Sequence, residues 1–368
     1  MKIALLFFLL PIFCYSQESR IDDWALSLKG KSGFLAAHRG TMGHLAKDRL
    51  FAGELSFSKR MRSKDWSDEY RNPYMGVTLY GSNLGNKKIL GYGFGAYGFI
   101  EFPWTRGEKH VFTCKVGAGL GGVTKVFDQT KNPKNVPMST YLNTIICLGI
   151  QGRWYMKPEH ALIYSLDMTH FSNGSSKVPN LGVNMPFVGL GYEYTFKKKE
   201  TPPDFKLAKF ERVPFFKSWN ASVVGILSDK QIFPTGGKRY PVFALSGILH
   251  KQFKPKVGME IALDVISKQS ILHYRDYIPK TQATILQVGA FVGYNIPLDK
   301  FRFVIGMGAY IKDRYDPDGM FYHRVGMRYQ FQNGLLLNLV LKSHWAKADY
   351  IEYGVGYTFN YKGRYHAK

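Results

Sequence analysis

From Trp24 onward, apolar and polar side chains alternate with a period of two through segment after segment, separated by polar loops and turns. That alternation places one set of side chains on each face of a β-strand. The last segment is the clearest: Ile351, Tyr353, Val355, Tyr357, Phe359 and Tyr361 share one face, opposite Glu352, Gly354, Gly356, Thr358 and Asn360. Leu335, Leu337, Leu339 and Leu341 repeat the pattern, with Asn338 and Lys342 on the other side. The pattern predicts about sixteen strands, and about fourteen would also satisfy it. They fall near 24–37, 50–61, 74–84, 90–104, 110–127, 141–157, 160–172, 184–198, 219–232, 240–254, 257–267, 283–297, 301–312, 320–331, 335–346 and 350–361.

An apolar outer face over a polar, glycine-containing inner face is the pattern of a membrane β-barrel. A soluble β-sandwich alternates in the same way, but aromatic rings near strand ends favour the membrane, where they sit at the interface. Loop lengths point the same way. Connections at 38–49, 128–140, 173–183, 268–282 and 312–319 are mostly long, and those at 157–159, 297–300 and 332–334 are short. Long outside and short inside is expected of an outer-membrane barrel whose N-terminus is periplasmic. Two connections, 62–73 and 197–218, break the rule. The second contains Lys197-Lys198-Lys199 and Pro202-Pro203, and reads as a long periplasmic excursion or as a boundary between two barrels. A single transmembrane antiparallel barrel of about 14–16 strands over residues 17–368 is the expectation, because either half alone would leave edges to be closed.

Composition explains why the hydropathy looks soluble. The chain carries 38 Gly, 27 Phe and 24 Tyr, yet no later segment offers the ~20 continuous apolar residues of a membrane helix. In a barrel only every second residue faces lipid, so the mean stays low. Residues 1–16 read as an export signal: Lys2, an apolar run from Ile3 to Phe13, then Cys14-Tyr15-Ser16 as a cleavage site. Phe13 is too bulky for a lipoprotein signal at Cys14, so cleavage after Ser16 is expected.

A net charge of +23 asks for an anionic partner. An exported chain rarely meets nucleic acid, so phosphorylated lipid surfaces fit better. Arg39, Lys47, Arg49, Lys87, Lys88, Lys131, Lys134, Lys177, Lys230, Lys238, Arg239, Arg275, Lys280, Lys312 and Arg314 fall in or beside loops, most of them outward. Together they suit lipopolysaccharide phosphates. Cys114 and Cys147 fall on opposite faces of adjacent strands in this register, which argues against a disulfide between them, and no catalytic role is expected of either. No glycine-rich phosphate loop, zinc cluster or nucleotide fingerprint is present. His38 and His44 flank Arg39 in one loop, where a metal or phosphate role is weaker than a loop role.

The chemistry concentrates at His170-Phe171-Ser172-Asn173-Gly174 and, after a polar loop, at Pro179-Asn180-Leu181-Gly182-Val183-Asn184. His170 and Ser172 share a strand face with Leu162, Tyr164, Leu166 and Met168. The same register puts Asn184 outward with Val188, Leu190, Tyr192 and Tyr194, although Pro186 is a point where the register can slip. Polar groups at the end of a lipid-facing stripe are costly unless they pair. Serine becomes a nucleophile when a neighbouring histidine accepts its proton, and a third polar group fixes the histidine tautomer. Asn184 can accept a hydrogen bond from the ring but carries no charge to steady an imidazolium. Candidates for the oxyanion donors are the backbone N–H groups of Asn173 and Gly174, and Asn180.

His-x-Ser-Asn-Gly followed by Pro-Asn-x-Gly resembles the active-site motif of the outer-membrane lipid A 3-O-deacylases, the PagL or acyloxyacyl hydrolase family. The resemblance implies His170 as base, Ser172 as nucleophile, and Asn180 with the Gly174 amide in the oxyanion hole. The family's best-known pattern has a glutamate twelve residues after the serine, where this chain has Asn184. The spacing is also similar to that of outer-membrane phospholipase A, which carries an asparagine there. Both resemblances are local, covering about 169–196, and the deacylase barrel is similar to an eight-stranded one, which leaves the extra length unexplained. The expectation is an outer-membrane serine esterase that removes an ester-linked acyl chain from lipid A through His170, Ser172 and Asn184. Its alternatives are a phospholipase A or a non-catalytic porin or structural barrel. No cofactor is expected, with calcium entering only on the phospholipase reading. The expected partner is lipopolysaccharide or phospholipid in the bacterial outer membrane, with no nucleic acid.

Overall fold

The computed structural model describes residues 23–62, 65–105, 107, 109–196, 219–313, 315, 318–345 and 347–359. The expected signal segment 1–16 and the connection 197–218 lie outside them, as does Arg314.

The first unit contains β1 (Asp23–Gly33), β2 (Leu50–Arg60), β3 (Tyr74–Asn83), β4 (Tyr92–Pro103), β5 (His110–Val123), β6 (Leu142–Lys157), β7 (His160–Ser172) and β8 (Val183–Thr195). Each strand pairs antiparallel with the next, and β8 returns to β1, with Leu28 opposite Tyr192. The second unit contains β9 (Asn220–Gln231), β10 (Arg239–Lys254), β11 (Val257–Lys268), β12 (Leu286–Leu298), β13 (Phe301–Lys312), β14 (Phe321–Gln330), β15 (Leu335–His344) and β16 (Lys347–Thr358). Here β16 closes onto β9, with Tyr353 opposite Leu227.

The strands therefore close as two barrels of eight, not as the single larger barrel expected from the sequence. Eight tilted strands are enough to close a sheet on itself. Each half thus pairs its own edges, and the objection that a half would leave them open does not hold.

A barrel of this size has an interior just wide enough for side chains. In the first unit that interior is charged and paired. Lys31 lies 2.7 Å from Glu54 and 2.5 Å from Asp167. Lys29 reaches Glu54 at 3.0 Å, and Arg153 joins Glu101 at 2.5 Å to Glu193 at 2.9 Å. Above this layer sits an apolar cluster in which loop residues Met42, Leu45, Leu84, Leu90 and Met138 pack with Phe171, Val183 and Met185. Outward positions such as Leu26, Leu28, Phe57 and Leu79 are exposed apolar side chains.

The second unit repeats the plan. Arg324 bridges Asp264 and Glu352, each at 2.7 Å, and Arg328 pairs with Glu260. A register shift between Lys342 and Ser343 turns both Asp349 and Tyr350 inward. Asp349 there pairs with Lys268 at 3.0 Å and with Lys230. Lys230, expected among the loop cations, is instead a buried β9 residue, because in a polar interior a lysine can face inward beside a carboxylate. The segment Asn173–Asn180 groups with this unit: Ser175 Oγ donates to the Ala348 carbonyl (2.8 Å) and the Val178 N–H to Gln231 Oε1 (2.9 Å). Cys114 and Cys147 are free, with Gly117 opposite Cys147 and Ile150 opposite Cys114.

Removing one partner of a fully buried ion network leaves uncompensated charge. Arg153→Met strands Glu101 and Glu193, and is expected to cost about 3–5 kcal/mol. Urea unfolding in detergent micelles measures it; a loss under about 1 kcal/mol would mean that the network is not holding the first barrel.

Candidate active site on the outer face of the first barrel

Strands β7 and β8 pair in one unbroken register, with Phe171 opposite Val183, His170 opposite Asn184, and Met168 opposite Pro186. Pro186 does not displace it. The inward residues explain why. Asp167 is held by Lys31, and Phe171 is fully buried with its ring 5.9 Å from that of Tyr80. A one-residue slip would turn both outward. With those two fixed inward, period two sends Leu166, Met168, His170 and Ser172 to the outer face, as the sequence predicts.

His170 Nδ1 and Asn184 Oδ1 are 2.6 Å apart. An amide oxygen only accepts, so this bond puts the ring proton on Nδ1 and leaves Nε2 as the basic lone pair. Ser172 follows on the same face, half-buried, and its hydroxyl makes no hydrogen bond among the described residues. Serine–histidine bonds of this kind often form only with substrate in place. Gly182 supports the ring. Its φ of +70° is a left-handed conformation natural to glycine. A Cβ there would stand 2.7 Å from His170 Cε1 and 2.9 Å from the Phe171 carbonyl.

The candidate oxyanion donors differ in availability. The Asn173 backbone N–H, one of the expected donors, donates to Asn180 Oδ1 at 3.1 Å within the loop. That bond turns the Asn180 amide nitrogen the other way, and the Gly174 N–H is bonded to no other group among the described residues.

One neighbour was not singled out for this site by the sequence. Asn184 Nδ2 lies 3.2 Å from His38 Nδ1, and His38 Nε2 lies 3.1 Å from the Leu181 carbonyl. The Ala36 N–H donates to the Asn184 carbonyl at 2.9 Å and brings the loop alongside. No local signal marks this, because 146 residues separate His38 from Asn184. His44 instead contacts the Lys134 carbonyl at 3.2 Å. The two clusters of metal-ligating groups among the described residues, Glu54/Cys147/Asp167 and Asp318/His344/Asp349, are interior, and their carboxylates are already bonded to lysine.

Two family models match the chain. Residues 52–193 match the lipid A 3-O-deacylase (PagL) model, and residues 217–361 match the acyloxyacyl hydrolase C-terminal domain. Together they cover most of the chain, one on each barrel. The chain belongs to the PagL family. It is accordingly an outer-membrane β-barrel of an acyl-ester hydrolase family, and the exposed apolar faces of the strands are its lipid-contacting surfaces. No curated protein matches it. Among solved structures it is similar to Neisserial surface protein A, at 12% identity over 47% of this chain and 97% of that one, with a TM-score of 0.33. Acinetobacter baumannii OccAB4 aligns at 11% identity over 92% of this chain and 97% of its own, with a TM-score of 0.24. Neither likeness bears on the chemistry.

The PagL match spans His170, Ser172, Gly182 and Asn184. Gly182→Ala would press a methyl group against the His170 ring and strain a left-handed backbone. Turnover is expected to fall by about tenfold or more, since small displacements of a catalytic group are costly. Initial rates beside wild type on any accepted ester check this; an undiminished rate would separate Gly182 from the site.

Proposed function

We propose that this PagL-family protein is a serine esterase that removes an ester-linked acyl chain from lipid A. In this reading His170 Nε2 takes the Ser172 proton as Ser172 Oγ attacks the acyl carbonyl carbon. The resulting oxyanion is held by the Gly174 N–H and the Asn180 side-chain amide. Collapse expels the sugar alkoxide, which takes the proton from His170, and an acyl-serine remains. Water, deprotonated by His170, then releases the fatty acid and restores Ser172. The observation that carries this reading is the 2.6 Å His170–Asn184 bond on the lipid-facing side of β7 and β8, with Ser172 two residues on.

An outward site suits a substrate that reaches the enzyme by diffusing within the bilayer. Arg39, Lys47, Arg49, Lys87 and Lys131 are exposed in the loops of the same barrel and suit the lipid's phosphates. A phospholipase A is the second reading, favoured by the asparagine at 184. Pore function finds less support, because charged and aromatic side chains fill the interior of each barrel.

Mass spectrometry after incubation of the purified protein with lipid A and phospholipid together tests the proposal. Wild type is expected to release one acyl chain from lipid A, and Ser172→Ala or His170→Ala to lose at least about 10³-fold in rate. Lysophospholipid as the product would promote the phospholipase reading. Normal turnover by Ser172→Ala would remove the site, and ion conductance in planar bilayers would revive the pore. At position 184, Asn184→Ala is expected to slow turnover by about 10- to 100-fold, and Asn184→Glu to stay within about tenfold of wild type. Full activity in Asn184→Ala would take Asn184 out of the mechanism.

A further inference from the structure

We infer that His38 is a positioning residue that decides which end of the Asn184 amide faces His170. The inference rests on the proposed Ser172–His170 site and adds a member that lies outside the matched family region, which begins at residue 52.

The hydrogen-bond chain has one unambiguous end. The Leu181 carbonyl can only accept, so the His38 nitrogen 3.1 Å from it, Nε2, carries the ring proton. In the neutral ring Nδ1 then presents a lone pair. That lone pair faces Asn184 at 3.2 Å and selects the amide nitrogen as its donor. The amide oxygen is thereby turned to His170 Nδ1 at 2.6 Å, which fixes the proton on Nδ1 and frees Nε2.

Without His38, the two ends of the Asn184 amide are nearly equal in shape and only hydrogen bonding distinguishes them. Rotated by half a turn, the amide would donate to His170 Nδ1. The ring proton would then sit on Nε2, and His170 could not accept from Ser172. A carboxylate at 184 would have no such ambiguity, because both its oxygens accept.

The test is a set of full-length variants purified in detergent and assayed on lipid A. Each is checked for heat-modifiable migration, so that only folded protein is compared. His38→Leu and His38→Asn have the same shape, but only the asparagine offers an acceptor near the Nδ1 position. His38→Leu is expected to lower kcat about tenfold with KM changed less than about twofold, and His38→Asn to recover to within about threefold of wild type. Reaction of Ser172 with a fluorophosphonate ester, which needs the base but not lipid recognition, is expected to follow the same order.

The deciding measurement repeats His38→Leu in an Asn184→Glu background, where the loss is expected to shrink below about twofold. An equal loss in both backgrounds would mean that His38 acts by packing alone, and no loss in either would remove it; both overturn the inference while leaving the esterase standing. Retained activity in Ser172→Ala would bring down the site and the inference together.

Discussion

An eight-stranded barrel has room inside for side chains and little else, so an inward charge is costly unless it is paired where it sits. That constraint fixes the register of the strands. Lys31 between Glu54 and Asp167 holds the inner faces of β1, β2 and β7 together, and Arg153 between Glu101 and Glu193 does so for β4, β6 and β8. Once Asp167 and Phe171 are fixed inward, His170 and Ser172 have no choice of face. The catalytic candidates on the outside are placed by ion pairs on the inside.

An outward site must then satisfy its own polar groups, because hydrocarbon offers no partners. The pairing His170–Asn184–His38–Leu181 does this for the His38 ring, the amide and His170 Nδ1, leaves His170 Nε2 open toward Ser172, and ends on a backbone carbonyl. Its members come from two adjacent strands and the loops beside them. Backbone bonds from Ala36 to Asn184 and from Phe34 to Pro186 hold the first of those loops against β8. The polar site is a continuation of sheet pairing past the ends of the strands.

Much of this was legible in the sequence, for a physical reason. Period two carries face assignment directly, so Leu335 to Leu341 and Ile351 to Phe359 could be placed outward, and His170, Ser172 and Asn184 could be put on one outer face. What alternation does not carry is where a sheet closes. The pairings of β1 with β8 and β9 with β16 are long-range, and a strand closing a barrel of eight reads like one in the middle of a barrel of sixteen. Lys230 was misplaced for a related reason: a lysine near a strand end reads as solvated unless its partners, Asp318 and Asp349, are known to lie across the interior. His38 was invisible because its role depends on a contact 146 residues away.

The asparagine at 184 joins these threads. A glutamate there could steady an imidazolium, but it would hold a full negative charge at the lipid-facing rim of the sheet whenever the ring is neutral. An amide avoids that cost and can still fix the ring tautomer. In exchange it introduces a choice of two orientations that a carboxylate does not have, and only one of them leaves His170 a base. On the proposed mechanism, a neutral third member on this surface calls for a further group to orient it. The group bonded to Asn184 Nδ2 is His38, anchored to a carbonyl that can play only one part.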